Sequence, residues 1–213
     1  MEIHGEGDLR LYKFGPLGPY DNNAYIIADH PSQEALVVDM PTGSAEVIEV
    51  AKTFRVMAIA LTHTHPDHWA EYESVKSALG APVLCHPAEV IMPASRIDQQ
   101  LADGEDIQIG SLLVKAIHAP GHTPGSVCFL AGRYLLSGDV LFPGGPGHTD
   151  SPDAFRQCLA SIEEKLLAPL PDDIMVLPGH GADTTIGQSK REYAGFTLRQ
   201  HPEDLCGDVT WGD

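Results

Sequence analysis

No apolar run in this chain approaches the roughly 20 residues a membrane-spanning helix needs. The start, Met1-Glu2-Ile3-His4-Gly5-Glu6, has no basic segment leading into an apolar one. A secretory leader is therefore not expected, and a cytoplasmic location is. Basic residues are scarce: 13 Lys and Arg stand against 30 Asp and Glu, a formal net charge of −17. Such a field repels phosphodiester backbones and anionic headgroups, so neither nucleic acid nor a membrane is an expected partner. Only four cysteines occur, Cys85, Cys128, Cys158 and Cys206, and no two form a CxxC pair. That spacing argues against a cysteine zinc site and a disulfide framework and fits reduced thiols. No Ser/Gly linker, low-complexity tract or charge block interrupts the sequence, so residues 1–213 are expected to form one domain.

Histidine (11) and glycine (21) are what the chain does have, and their placement follows the strand pattern. Runs at 9–14, 24–28 and 35–39 are rich in strand formers and predict a three-stranded meander. Ser44 reads as the N-cap of a helix whose apolar face is Val47, Ile48, Val50 and Ala51. Residues 56–61 form a continuous apolar run, as in a buried strand. A helix is predicted over 69–79, stopped by Gly80, and a strand at 82–85. Strands follow within 107–117 (split at Gly110-Ser111), 126–130 and 134–137. A helix over 152–167 has Ser151 as N-cap and Pro152 in its first turn. A last strand is predicted at 174–177. Meanders alternating with helices predict an α/β fold of two sheets covered by helices.

Four segments directly after strand-like runs carry metal-ligand residue types. They are Thr62-His63-Thr64-His65-Pro66-Asp67-His68, Pro120-Gly121-His122-Thr123-Pro124-Gly125-Ser126, Ser137-Gly138-Asp139-Val140 and Pro178-Gly179-His180-Gly181. His63 and His65 point the same way in an extended segment, whereas Asp67 and His68 diverge. One loop can thus serve two neighbouring ions. Neutral imidazole and carboxylate are ordinary ligands of catalytic zinc, and Thr62 and Thr64 can add hydrogen bonds behind them. One acid and three histidines within six positions have little structural purpose, because uncompensated polar groups near a core are costly. His4, His30, His86, His118 and His201 stand alone and read as incidental.

HxHxDH, GHTPGS, SGDVLF and PGHG in this order resemble the metallo-β-lactamase superfamily, and within it the short glyoxalase II-like hydrolases. The resemblance covers nearly the whole chain. It implies an αββα sandwich with a binuclear site at one edge of the sheets. His63, His65 and His122 would hold one metal, Asp67, His68 and His180 the second, and Asp139 would bridge them. Zinc is the expected pair of ions, with iron or manganese compatible with the same donors. Two such ions can lower the pKa of a shared water and polarise a carbonyl, with Asp67 orienting the water or taking its proton. The implied reaction is hydrolysis of a small ester or thioester. A lactonase on the same metals, or a mononuclear-iron persulfide dioxygenase, are the alternatives.

The chain departs from its relatives in several places. Classical zinc β-lactamases usually have cysteine or serine where Asp139 stands, which points to the hydrolase branch. Only 33 residues follow His180, leaving little room for the helical region that holds glutathione in full-length glyoxalase II enzymes. Where those enzymes carry a lysine gripping a glutathione carboxylate, this chain has His148, a weaker anchor because imidazole is mostly neutral above pH 7. Trp69 follows HxHxDH where relatives have small residues; it is expected in the core, with a wall of the metal cleft as the functional alternative. Tyr20, in the 15–23 turn, is a candidate rim residue. The glycine-rich 143–147 stretch lacks the GK[ST] ending of a phosphate loop. The acidic 202–213 segment reads as a frayed tail or a strap across the partner in a homodimer, with Trp211 arguing for docking.

Overall fold

Alternate residues of the central strands face two different apolar layers, and this sets the architecture. The computed structural model describes residues 1–212. In the strand Asn22–Asp29, Tyr25 and Ile27 point to one layer while Ala24, Ile26 and Ala28 point to the other. Both faces are buried, as the unbroken apolar runs predicted.

The first sheet has the order β1 (Glu2–Glu6), β2 (Leu9–Leu17), β3 (Asn22–Asp29), β4 (Glu34–Val38), β5 (Arg55–Ala60), β6 (Val83–Cys85), β7 (Gln99–Gln100). The chain then forms β8 (Asp106–Ile109), β9 (Leu112–His118), β10 (Val127–Ala131) and β11 (Tyr134–Gly138), a short hairpin of β12 (Leu141–Phe142) and β13 (Gly145–Pro146), then β14 (Met175–Pro178) and β15 (Thr184–Thr185). The second sheet is ordered β15-β14-β11-β10-β9-β8. Both sheets are mixed: β4–β5, β5–β6, β6–β7 and β11–β14 are parallel and the other pairs antiparallel.

Leu11, Ile27, Leu36 and Val38 of the first sheet meet Val114, Phe129 and Leu136 of the second in the central layer. Helices α1 (Ala45–Ala51) and α2 (Tyr72–Leu79) cover the outer face of the first sheet through Val47, Ala51, Tyr72 and Val75. Helix α3 (Pro152–Ser161), its π-helical continuation Ile162–Leu167 and α4 (Ile186–Thr197) cover the second through Phe155, Ile162, Leu166 and Phe196. The result is the expected αββα sandwich. Among the described residues no helix is long and apolar enough to cross a membrane.

Local chemistry accounts for several boundaries. Ser151 caps α3, its hydroxyl accepting from the Ala154 N–H at 3.2 Å, and Gly80 ends α2 in a left-handed conformation (φ 66°). Other expectations need correction. Ser44 occupies the N-cap of α1, but its hydroxyl donates to the Pro41 carbonyl instead of accepting from the helix. The helix predicted over 69–79 is divided: Pro66–Trp69 is a 3-10 turn and α2 starts only at Tyr72. The carbonyl of Met40 accepts from Glu71 N–H, and its N–H donates to His68 O, so the start of this region is tied to the sheet and not to a helix. The edge strand β1 carries no sequence signature, because its residues are mostly exposed and lack an apolar pattern.

The segment after α4 is docked on this chain and is not a frayed tail. Val209 and Trp211 are buried against α4 and the layer beneath it, and Gly207 pairs with Thr149 in both directions. Asp213 lies outside the described residues.

Candidate metal centre

Parallel pairing aligns two pairs of strand ends at the site. The carboxyl ends of β4 and β5 lie side by side, which sets Asp39 against Thr62, and those of β11 and β14 do the same for Asp139 and His180. Gly179 permits this approach: a Cβ there would sit 2.3 Å from Asp139 Oδ1 and 2.7 Å from His68 Cε1.

All seven side chains predicted from the motifs converge. His63 Nε2 lies 3.1 Å from His65 Nδ1, and His122 Nε2 lies 3.3 Å from the former and 2.9 Å from the latter. Three imidazole nitrogens aimed at one point cannot all be satisfied by one another's protons, whereas a cation among them satisfies all three. A second group forms from Asp67, His68 and His180, with His68 Nε2 and His180 Nε2 3.1 Å apart and Asp67 Oδ2 within 3.5 Å of both. Asp139 sits between the groups. Its Oδ1 is 3.5 Å from His68 Nε2, while Oδ2 is 3.3 Å from His180 Nε2 and 3.8 Å from His122 Nε2. Asp139 Oδ1 is buried without a hydrogen-bond partner. A buried carboxylate oxygen left in this way is costly unless a cation meets it. The donors present therefore fit a pair of metal ions.

The electrostatics agree. Burial, then the charge of His68, holds the pKa of His63 well below its ordinary value, and burial lowers that of His122; both are thereby kept as neutral imidazoles, the form that binds metal. At His180, burial is outweighed by hydrogen bonds to Asp139 and Asp67, which push the pKa up to about 10. His68 is also raised, burial being overcome by Asp139 and Asp39. Burial would raise the Asp139 carboxyl, but His68 and His180 outweigh it and hold its pKa well below the carboxylate range. The carboxylates thus create a field that favours cations, whether protons or metal ions, and metal binding at such a site is coupled to proton release.

Three residues that no motif revealed hold the loops. Asp39, in the left-handed region at φ 63°, accepts from Thr62 N–H at 2.9 Å and Thr62 Oγ1 at 2.8 Å, and lies 2.9 Å from His68 Nδ1. It fixes the His68 ring so that Nε2 faces the site. Glu89, buried, accepts from the N–H groups of Thr64 and Gly125, each at 3.0 Å, and from the hydroxyls of Thr64 and Thr123. It joins the loop of His63 and His65 to that of His122. Asn22 donates to Asp67 Oδ2 at 2.7 Å. Of the two threonines expected behind the ligands, Thr62 also reaches His63 Nδ1 at 3.1 Å, whereas Thr64 serves Glu89.

Residues 17–180 match the family model described as the metallo-beta-lactamase superfamily. The chain belongs to that superfamily. It is 33% identical to the hydroxyacylglutathione hydrolase GloC of Haemophilus influenzae, covering 83% of this chain and 93% of that one. Among solved structures it is similar to BLEG-1 B3 metallo-beta-lactamase (31% identity, TM-score 0.74, covering 85% of this chain and 96% of that one). It is also similar to TTHA1623, solved in a di-iron-bound form (29% identity, TM-score 0.70, covering 84% and 97%).

The superfamily fold leaves a cleft of about 330 Å³ beside the seven residues, lined by His122, Asp139, Phe142, the 143–148 loop and residues 208–210. His148 is on this cleft; its carbonyl accepts from His122 Nδ1 and its own Nδ1 is 2.9 Å from Asp208 Oδ1. Trp69 is instead packed with the core beneath the first loop, its indole N–H donating to the Thr64 carbonyl at 2.9 Å. Tyr20 has an exposed ring and meets the site through its carbonyl, 2.7 Å from His180 Nδ1. That contact sets the His180 ring as Asp39 sets His68. His86 and His118, read as incidental, stack on each other with centroids 3.7 Å apart and join neither group.

Proposed function

We propose that this superfamily member is a binuclear metal-dependent hydrolase acting on the carbonyl of a small ester or thioester. His63, His65 and His122 would hold one ion, Asp67, His68 and His180 the other, and Asp139 would join them. The observation that carries this reading is the position of Asp139, within 3.3–3.8 Å of nitrogens from both groups. Imidazole and carboxylate are ordinary ligands of catalytic zinc, the pair of ions we propose. When bound, two such ions lower the pKa of a water and polarise a carbonyl oxygen.

The remaining work falls to the side chains. Asp67, gripped by Asn22, offers its second oxygen to orient the attacking water. Without metal, burial would raise its pKa, but hydrogen bonding to His180 and the charge of His68 hold it low; a bound cation in their place would likewise keep it ionised, as a hydrogen-bond acceptor for the water. Phe142 and the 143–147 loop form the wall against which the acyl or leaving group rests. The similarity to a hydroxyacylglutathione hydrolase supports a thioester.

Two measurements test the reading. Elemental analysis of protein purified without chelator is expected to give close to two transition-metal ions per chain. A screen of thioesters, lactones and β-lactams with metal-defined enzyme is expected to show thioester or ester hydrolysis. One iron ion with no second metal, together with oxygen uptake on a persulfide, would overturn it. A further expected result concerns the support of His68: Asp39→Asn should weaken metal binding by about 10–100-fold, as removal of such outer partners does. Competition against a chromophoric chelator measures this. Wild-type affinity would show that Asp39 does not set the ring.

A further inference from the structure

Resting on the hydrolase reading above, we propose that residues 207–212 form a specificity wall of the cleft. Through Asp208, this wall selects acyl substrates bearing a cationic group over those bearing a carboxylate.

The segment is built into the molecule. Trp211 N–H donates to the Gly144 carbonyl at 2.7 Å, Gly207 and Thr149 exchange hydrogen bonds, and Val209 and Trp211 are buried. Arg199 holds the Trp211 carbonyl at 2.6 Å. The 143–147 loop is shaped to receive it: Gly145 has φ 148°, and a Cβ there would stand 2.9 Å from the Val209 carbonyl. Asp208, Val209 and Thr210 consequently line the same cleft as His122 and Asp139. A substrate whose carbonyl reaches the metal residues through this cleft extends along this wall.

Away from the metal residues, the side-chain charge of this rim is acidic. No Lys or Arg lines the cleft among the described residues. His148, the polar side chain facing the wall, is flanked by two carboxylates, Asp208 Oδ1 at 2.9 Å from Nδ1 and Asp150 Oδ1 at 3.5 Å from Nε2. Two carboxylates stand against one imidazole, so this rim is net negative whichever way the ring is protonated. Both carboxylates are largely exposed, so their second oxygens remain open to a ligand. A carboxylate-bearing leaving group meets repulsion here, and an ammonium group meets attraction. Glu192, which accepts from Gly144 N–H at 3.0 Å below the loop, adds to the same field.

The test uses three acetyl thioesters of similar size on the metal-loaded enzyme: acetylthiocholine (cationic), S-acetyl-N-acetylcysteamine (neutral) and S-acetyl-3-mercaptopropionate (anionic). Each kcat/KM is divided by the substrate's own rate of alkaline hydrolysis, which removes leaving-group differences. The cation is expected to exceed the anion by about tenfold at low salt, the scale of a screened net negative charge a few ångströms away. The ratio should shrink by at least about half when ionic strength is raised tenfold. Asp208→Asn should reduce it about threefold, and Asp208→Lys should invert it. Metal content and melting temperature verify that the variants are folded; where the lysine variant is not, the asparagine variant and the salt series decide. Hydrolysis without charge order, or an order that neither Asp208 variant changes, overturns the specificity wall alone. Failure to hydrolyse any thioester or ester overturns the hydrolase reading and the inference with it.

Discussion

Asp139→Asn is expected to lower turnover by more than about 100-fold, exceeding the roughly 10–100-fold typical of residues that only support a metal ligand. The side chain stands between two groups of three donors, and its Oδ1 has no protein partner. Asparagine has nearly the same shape but presents one oxygen and an amide NH2, which repels a cation. It also removes a full negative charge from beside His68 and His180, where the carboxylate now offsets burial. The second ion is expected to leave or bind weakly, so elemental analysis should fall towards one metal per chain while circular dichroism shows the sandwich intact. Near wild-type turnover at full loading would show that Asp139 does not join the ions.

Glu89→Ala carries the largest expected effect on stability. One buried carboxylate satisfies two backbone N–H groups and two hydroxyls from two different loops. Truncation leaves the Thr64 and Gly125 N–H groups without acceptors and opens a void. A loss of about 3–5 kcal/mol follows, as for other broken buried charge networks. Glu89→Gln keeps the volume but turns an NH2 towards donors, and should cost about 1–3 kcal/mol. Denaturant unfolding of metal-free protein measures both. Because Thr64 lies between His63 and His65 and Thr123 beside His122, both variants should also weaken binding at the three-histidine group. If Glu89→Ala unfolds within 1 kcal/mol of wild type on that scale, Glu89 does not join the loops.

The sequence reading failed where a residue acts through distant partners. Asp39 ends an ordinary strand run, and its partners lie 23 and 29 positions away. Its only local sign was a carboxylate at the end of an apolar run. Glu89 lies in a segment without pattern, and its partners are 25 to 36 positions away. Trp69 looked like a helix start because it follows the ligand motif and precedes an apolar period. The hydrogen bonds of Met40 with His68 and Glu71 interrupt that helix.

The sequence by itself determined the chemistry available and the layers that present it. Imidazole and carboxylate types at motif spacing, each after an apolar run, require only local order and the two-residue period of a strand. Tertiary structure alone decided which donors share a point, which carboxylates brace them, and that residues 208–210 line the cleft. Those outcomes depend on parallel register between β4 and β5 and between β11 and β14, and on burial of Val209 and Trp211 against α4. Register and burial arise from contacts between residues far apart in the chain, which no local spacing encodes.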